Sequence, residues 1–118
     1  MNTNKLREAI MNLLSRSEEI VLLSVWKLRG NAYGPTIRNI VSQITGRPWS
    51  IGALYAPLHR LERKRLVKSI KGDPRPERGG RSRTYYELTS DGKKALLEIK
   101  SVLDAAWEDV PALHADET

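Results

Sequence analysis

A chain of 118 residues with 40% hydrophobic positions, no Phe, three Trp and a net charge of +6 is sized for one modest core built mainly on aliphatic side chains. The absence of Cys excludes disulfides and thiolate metal sites and suits a reducing compartment. The opening residues lack the apolar centre of a signal peptide, and the longest apolar run, Ile20 to Trp26, is broken by Ser24 and far too short to span a bilayer, so a soluble cytoplasmic protein with no membrane contact is expected.

Residues 4 to 14 place Leu6, Ile10, Leu13 and Leu14 at helical spacing with Lys5, Arg7 and Glu8 on the other side. A helix this short is marginal alone, so its stripe is expected to dock, a partner subunit being one candidate. Ser15 and Glu18 form the pattern of a capping box and launch a second helix, EEIVLLSVWKL, ending before Gly30 and Asn31. That helix is apolar on most sides, which suits a central position. Tyr33-Gly34-Pro35 opens a third, with Ile37, Ile40, Val41 and Ile44 recurring up to Gly46. After the break Arg47-Pro48-Trp49, Ser50 caps a fourth helix whose core stripe is Ile51, Leu54, Leu58 and Leu61. Its opposite face carries Gly52, Ala53, Ala56, His59, Arg60 and Arg63: bare turns, then basic ones. A solvated face favours Glu, Lys and Gln, whereas small residues followed by Arg suit a helix that approaches a polyanion. Two helices joined by a tight turn, the second so faced, form the helix-turn-helix arrangement.

Residues 66 to 71 and 84 to 88 alternate like strands, and the Gly- and Pro-rich stretch from Gly72 to Gly80 forbids a helix between them, so a hairpin with a long tip is expected. Lys68, Lys71, Arg75, Arg78, Arg81 and Arg83 stand there against Asp73 and Glu77 in the tip. A basic hairpin after a helix-turn-helix reads as a wing that reaches phosphates or a narrow minor groove, the alternative being a solvated loop. Thr89 caps a last helix running to about Val110, with Ala95, Leu96, Ile99, Val102, Leu103, Ala106 and Trp107 spaced like a short heptad seam. The seam reads as a two-fold dimer interface, with packing inside one subunit as the alternative. From Asp104 onward there are five carboxylates and no Lys or Arg, so the basic charge belongs to the body ahead of them. The expected fold is mostly α (α+β): a winged helix-turn-helix over 15–89 with a two-stranded β wing, flanked by an N-terminal dimer-contact helix over 1–14 and a C-terminal dimerisation helix over 90–110, then a disordered acidic tail over 111–118.

Gly52-Ala53-Leu54-Tyr55, Leu58, Arg60-Leu61-Glu62 and Leu66-Val67 resemble the G-x-L-Y-x-x-L-x-R-L-E signature, with its trailing L-V, of the PadR-type winged-helix transcriptional regulators. Arg83-Thr84-Tyr85-Tyr86-Glu87-Leu88-Thr89 with Gly92 is similar to that family's wing exit, R-x-Y-Y-x-L-T-x-x-G, and Gly34 and Ile37 fit the start of its second winged-helix element. The resemblance spans roughly Ser17 to Ile99. It implies a dimeric DNA-binding regulator, usually a repressor, often released by a small aromatic or drug-like molecule. Pro57 departs from the family pattern by one position, and Pro35 stands where Tyr is frequent. The C-terminal part is one helix, so a large built-in sensor domain is not expected.

The residues then expected at DNA are Ser50, Gly52, Ala53 and Tyr55 at the groove, Arg60 and Arg63 on phosphates or base edges, and Arg38, Arg78, Arg81 and Arg83 on the backbone. Tyr55 lies near the core stripe, so packing and phosphate contact both remain open. The dimer set comprises Leu6, Ile10, Leu13, Leu96, Ile99, Val102, Leu103, Ala106 and Trp107. Trp26 and Trp107 are candidates for sandwiching a flat aromatic effector, or simply pack. His59 and His114 are the only histidines, and no nucleophile, base and orienter converge, so no enzyme, cofactor or metal is expected. The rival reading is a winged-helix adaptor for protein or RNA that binds no operator.

Overall fold

The computed structural model describes residues 14–72 and 82–113. Leu6, Ile10 and Leu13 of the expected first helix, Arg78 and Arg81 of the wing, and the tail from 114 onward lie outside them. Among the described residues the order is α1 (Arg16–Leu28), α2 (Gly34–Thr45), α3 (Ile51–Arg63), β1 (Val67–Lys71), β2 (Thr84–Leu88) and α4 (Ser90–Trp107). Four helices and one antiparallel hairpin make a winged helix-turn-helix of the α+β class.

Local chemistry sets the boundaries. The Ser15 hydroxyl accepts from the Glu18 amide at 3.2 Å while the Glu18 carboxylate accepts from the Ser15 amide at 3.0 Å, the expected capping box. Tyr33, not Gly34, is the cap of α2, so Gly34 opens that helix and Pro35 is second. The Thr36 hydroxyl accepts from the Tyr33 amide at 3.0 Å, the part that Glu18 plays toward Ser15 in α1, and donates to the Asn31 carbonyl at 2.7 Å. Gly46 ends α2 in the left-handed conformation, with φ of 69°. Ser50 and Thr89 cap α3 and α4 by accepting at 3.0 Å from Ala53 and Gly92. The last helix ends at Trp107, about one turn before the expected end near Val110.

α1 is central: it packs on α2, α3, β2 and α4. Val21, Leu22 and Val25 meet Ile37 and Val41 of α2, Leu54, Leu58 and Leu61 of α3, Val67, Tyr86 and Leu88 of the sheet, and Leu96 of α4 in one buried cluster. The hairpin pairs Val67 with Leu88 and Lys71 with Thr84. A further bridge joins Tyr33 to Tyr85, and the Tyr86 amide donates to the Ala32 carbonyl at 2.8 Å, so the wing's base is stitched to the segment that enters α2. No described helix is long and apolar enough to cross a membrane.

Candidate nucleic-acid interface

The core stripe of α3 is fully buried at Leu54, Leu58 and Leu61, which turns Gly52, Ala53, Ala56, His59 and Arg63 outward, all exposed. Pro57 is buried, so its missing N-H lies on the inner side of the helix. The turn into α3 is tied by side chains: the Trp49 amide donates to the Ser42 hydroxyl at 3.1 Å, and the Trp49 indole donates to Thr45 at 3.2 Å. Both bonds run from the break between the helices back to α2, so they fix the angle at which α3 leaves it.

Gly52 has a distinct environment. A methyl group built there meets no atom of the described residues within 4 Å, and its backbone is not left-handed. Neither packing nor conformation inside the chain demands glycine at this exposed helical position, although glycine weakens a helix. Gly34 and Gly92 are the opposite case. A Cβ on Gly34 would lie 2.7 Å from the Tyr55 hydroxyl, and one on Gly92 would lie 2.1 Å from the Leu66 carbonyl oxygen.

Tyr55 is half-buried, packs against the core cluster, and carries its hydroxyl over the start of α2. It therefore joins the two helices of the motif, and its ring lies 5.4 Å from that of His59. Arg60 differs from its neighbours on the basic face: its Nε lies 3.9 Å from a Glu18 carboxylate oxygen, so its side chain, 41% exposed, leans toward α1. The same oxygen accepts from the Lys64 ammonium at 2.6 Å. Burial would raise the Glu18 pKa, but the bonds from Lys64 and Ser15 outweigh it and hold the carboxyl below its ordinary value. Arg63 is exposed, and Arg38 is half-buried on α2. Arg83, just ahead of the wing's second strand, lies over the Tyr33 ring at 4.4 Å from its centroid, with Tyr85 edge-on at 5.5 Å. The wing base and the entry to α2 thus share one aromatic cluster.

Other expected roles are redistributed on α4. Leu96 and Ile99 are each only 5% exposed within a single chain, so they pack at home and have no surface left for a partner. Val102 and Leu103 are half-buried and Ala106 is exposed. Leu97, absent from the expected seam, is 58% exposed and Trp107 is 70% exposed. Together with Leu23, Trp26 and Leu103 these two residues border a cavity of about 410 Å³ between α1 and α4. A heptad reading misplaces Leu96 because an α-helix that docks on its own domain and also offers a second face has two stripes, and spacing alone does not separate them.

The transcriptional regulator PadR-like family matches over residues 22–98. The chain belongs to this family. An uncharacterised protein of Lysinibacillus sphaericus is 32% identical over 90 residues, which cover 69% of this chain and 80% of that protein. Among solved structures, H. salinarum RosR superposes with a TM-score of 0.67 at 21% identity, covering 85% of this chain and 83% of RosR. A PadR-like transcriptional regulator from Bacillus cereus does so at 0.61 and 21%, covering 75% and 82%. A transcriptional regulator from Clostridium thermocellum gives 0.61 and 22%, covering 90% of each chain. At such identities the likeness concerns the fold, and it is the winged-helix DNA-binding fold in which the PadR-like chain places its small-faced α3.

Proposed function

We propose that this PadR-like regulator binds a specific double-stranded DNA operator as a homodimer and represses transcription from it, with α3 in the major groove and the wing on the backbone. The observation that carries this reading is Gly52: an exposed helical glycine with open space around it has no use among the described residues and is explained by close approach of an outside surface. Ser50, Ala53 and Ala56 extend the same low face. Arg63, Arg38 and Arg83, with Arg78 and Arg81 of the wing tip, supply cations for phosphates. Arg60, drawn to Glu18, contributes less than its place in the sequence suggests. Tyr55 serves the groove face from behind, by holding α2 and α3 together.

The exposed apolar groups Leu97 and Trp107, beside Leu23, favour a second copy docking along α1 and α4. Trp26 and Trp107 line the same cavity, which is where a small aromatic effector would sit to alter the spacing of two reading heads. Selection of bound fragments from random duplex DNA tests the reading. A palindromic motif is expected, with affinity falling by ~10³ between 50 and 200 mM salt if roughly six phosphates are neutralised. No enrichment together with a flat salt response would overturn it in favour of a winged-helix adaptor for protein or RNA.

A further inference from the structure

From the chemistry left on the outer face of α3 we infer that His59 is the residue that discriminates between bases, an inference that rests on the operator-binding reading above. The exposed residues of α3 are Gly52, Ala53, Ala56, His59 and Arg63. At 100° per residue, Gly52, Ala56, His59 and Arg63 fall within about 60° of one another, a single narrow stripe along the helix. Glycine and alanine offer that stripe no polar atom, and the alanine methyls fit only an apolar neighbour such as a thymine methyl. The Ser50 oxygen ahead of the helix already accepts from the Ala53 amide at 3.0 Å. Arg63 donates and cannot accept.

His59 alone on this stripe presents both a ring N-H and a ring nitrogen that accepts. Base edges in the major groove differ in the order of donors and acceptors, and a ring that offers one of each in fixed directions can follow that order, whereas the donor-only guanidinium of Arg63 fits a guanine edge and any phosphate alike. The ring is also held. Its neighbour one turn earlier is Tyr55, whose ring lies 5.4 Å away and tilted by 31°, and Tyr55 is itself fixed between the core cluster and the start of α2. A side chain braced in this way loses less freedom on binding than Arg63 does, and it arrives in a defined orientation. Gly52 lies about 10 Å along the axis from His59, so the bare turns allow the helix to sink and bring the imidazole to base level.

The test uses the full chain and three proteins: wild type, His59→Ala and His59→Gln. Each is put through selection on random duplex DNA, followed by titration of the preferred sequence at several salt concentrations. At an exposed helical site both substitutions leave the fold intact, which thermal melting checks. For His59→Ala the motif is expected to lose its preference at one or two base pairs per half-site, and affinity for the wild-type sequence to fall by roughly 5- to 10-fold, with the salt slope unchanged. For His59→Gln the preference at those positions is expected to move toward adenine, a change of letter that a merely structural residue does not produce. Unchanged motifs for both variants, with wild type enriching normally, would overturn the role of His59 and leave the operator reading standing. So would a uniform loss of affinity with a slope shallower by about one, which marks a phosphate contact. If wild type itself enriches nothing, the operator reading fails first and takes this one with it.

Discussion

Gly52 allows stability and binding to be driven in opposite directions by one methyl group. Replacing it with Ala adds a Cβ that meets no atom within 4 Å among the described residues, so none of them resists it, and the backbone is already suited to an L residue. Ala is favoured over Gly by roughly 0.5–1 kcal/mol within a helix, less in the first turn, so Gly52→Ala is expected to raise Tm by about 2–4 °C at fixed protein concentration. At a close-packed DNA surface the same methyl meets atoms of the partner, and overpacking of this size costs ~1–3 kcal/mol, a weakening of about 5- to 150-fold. Gly52→Leu enlarges the second effect and leaves the first near zero. Calorimetric or circular-dichroism melting, paired with titration of a selected duplex, reads both. A Gly52→Leu protein that melts normally and binds its duplex within about twofold of wild type would refute the idea that glycine is there for DNA.

Gly34→Ala is expected to destabilise by ~1–2 kcal/mol, because its Cβ would lie 2.7 Å from the Tyr55 hydroxyl; in the Tyr55→Phe background the nearest atom becomes the ring carbon at 3.5 Å, and the penalty should largely vanish in the double-mutant cycle. Gly92→Ala offers no such escape, since its obstacle is the Leu66 backbone carbonyl at 2.1 Å, and a loss of about 3 kcal/mol or more is expected in denaturant melts. Glu18→Ala removes a cap acceptor and the partner of Lys64; with Lys64 half exposed and the pair screened accordingly, about 2 kcal/mol is expected, and a Tm within a degree of wild type would refute it. Because the folded Glu18 carboxyl lies below its ordinary value of 4.5, the unfolded chain takes up the proton first: its contribution is complete above that pH and is lost as pH falls through the folded value, so wild type and Glu18→Gln melts should converge in acid. Leu97→Glu, at a site 58% exposed on the lone chain, should leave the chain folded and shift sedimentation toward monomer.

Much of this architecture is legible in the sequence because each helix declares its own start. Ser15 with Glu18, Ser50 and Thr89 all cap as their spacing indicates, and the wing strands pair where alternation places them. What periodicity does not reveal is direction among residues of like chemistry. Arg60 and Arg63 both stand on the basic side of α3, yet the first turns toward Glu18, which is far away in sequence and becomes a partner only through tertiary packing. Leu96 and Leu97 are adjacent leucines with opposite fates, 5% and 58% exposed, because α1 covers one of them. The bonds of Trp49 to Ser42 and Thr45 are illegible for another reason: a tryptophan in a turn signals apolar burial, and its indole N-H and backbone amide carry no pattern that spacing can detect. Periodicity puts His59 on the outer face but gives a lone histidine no motif; what singles it out is the emptiness of its neighbours.

The weakness of α3's outer face is offset at the helix's two ends. Gly52 and the short alanines add no stabilising side chain there, so α3 depends on its buried stripe and its attachments. At the start, the Ser50 cap and the Trp49 bonds fix the entry, and Tyr55 reaches across to α2. At the end, Glu18 holds Lys64, and Arg65, at φ of 60°, turns the chain so that its carbonyl accepts from the Thr89 hydroxyl at 2.7 Å. The Thr89 amide also donates to the Leu66 carbonyl at 3.1 Å, the group against which Gly92 is packed. These bonds make α3 and the first turn of α4 one unit. Substitutions at Glu18, Gly92 or Thr89 should therefore weaken DNA binding only as far as they loosen or unfold that unit, leaving base preference and salt slope as they were, whereas substitutions on the outer stripe change one or the other at constant stability.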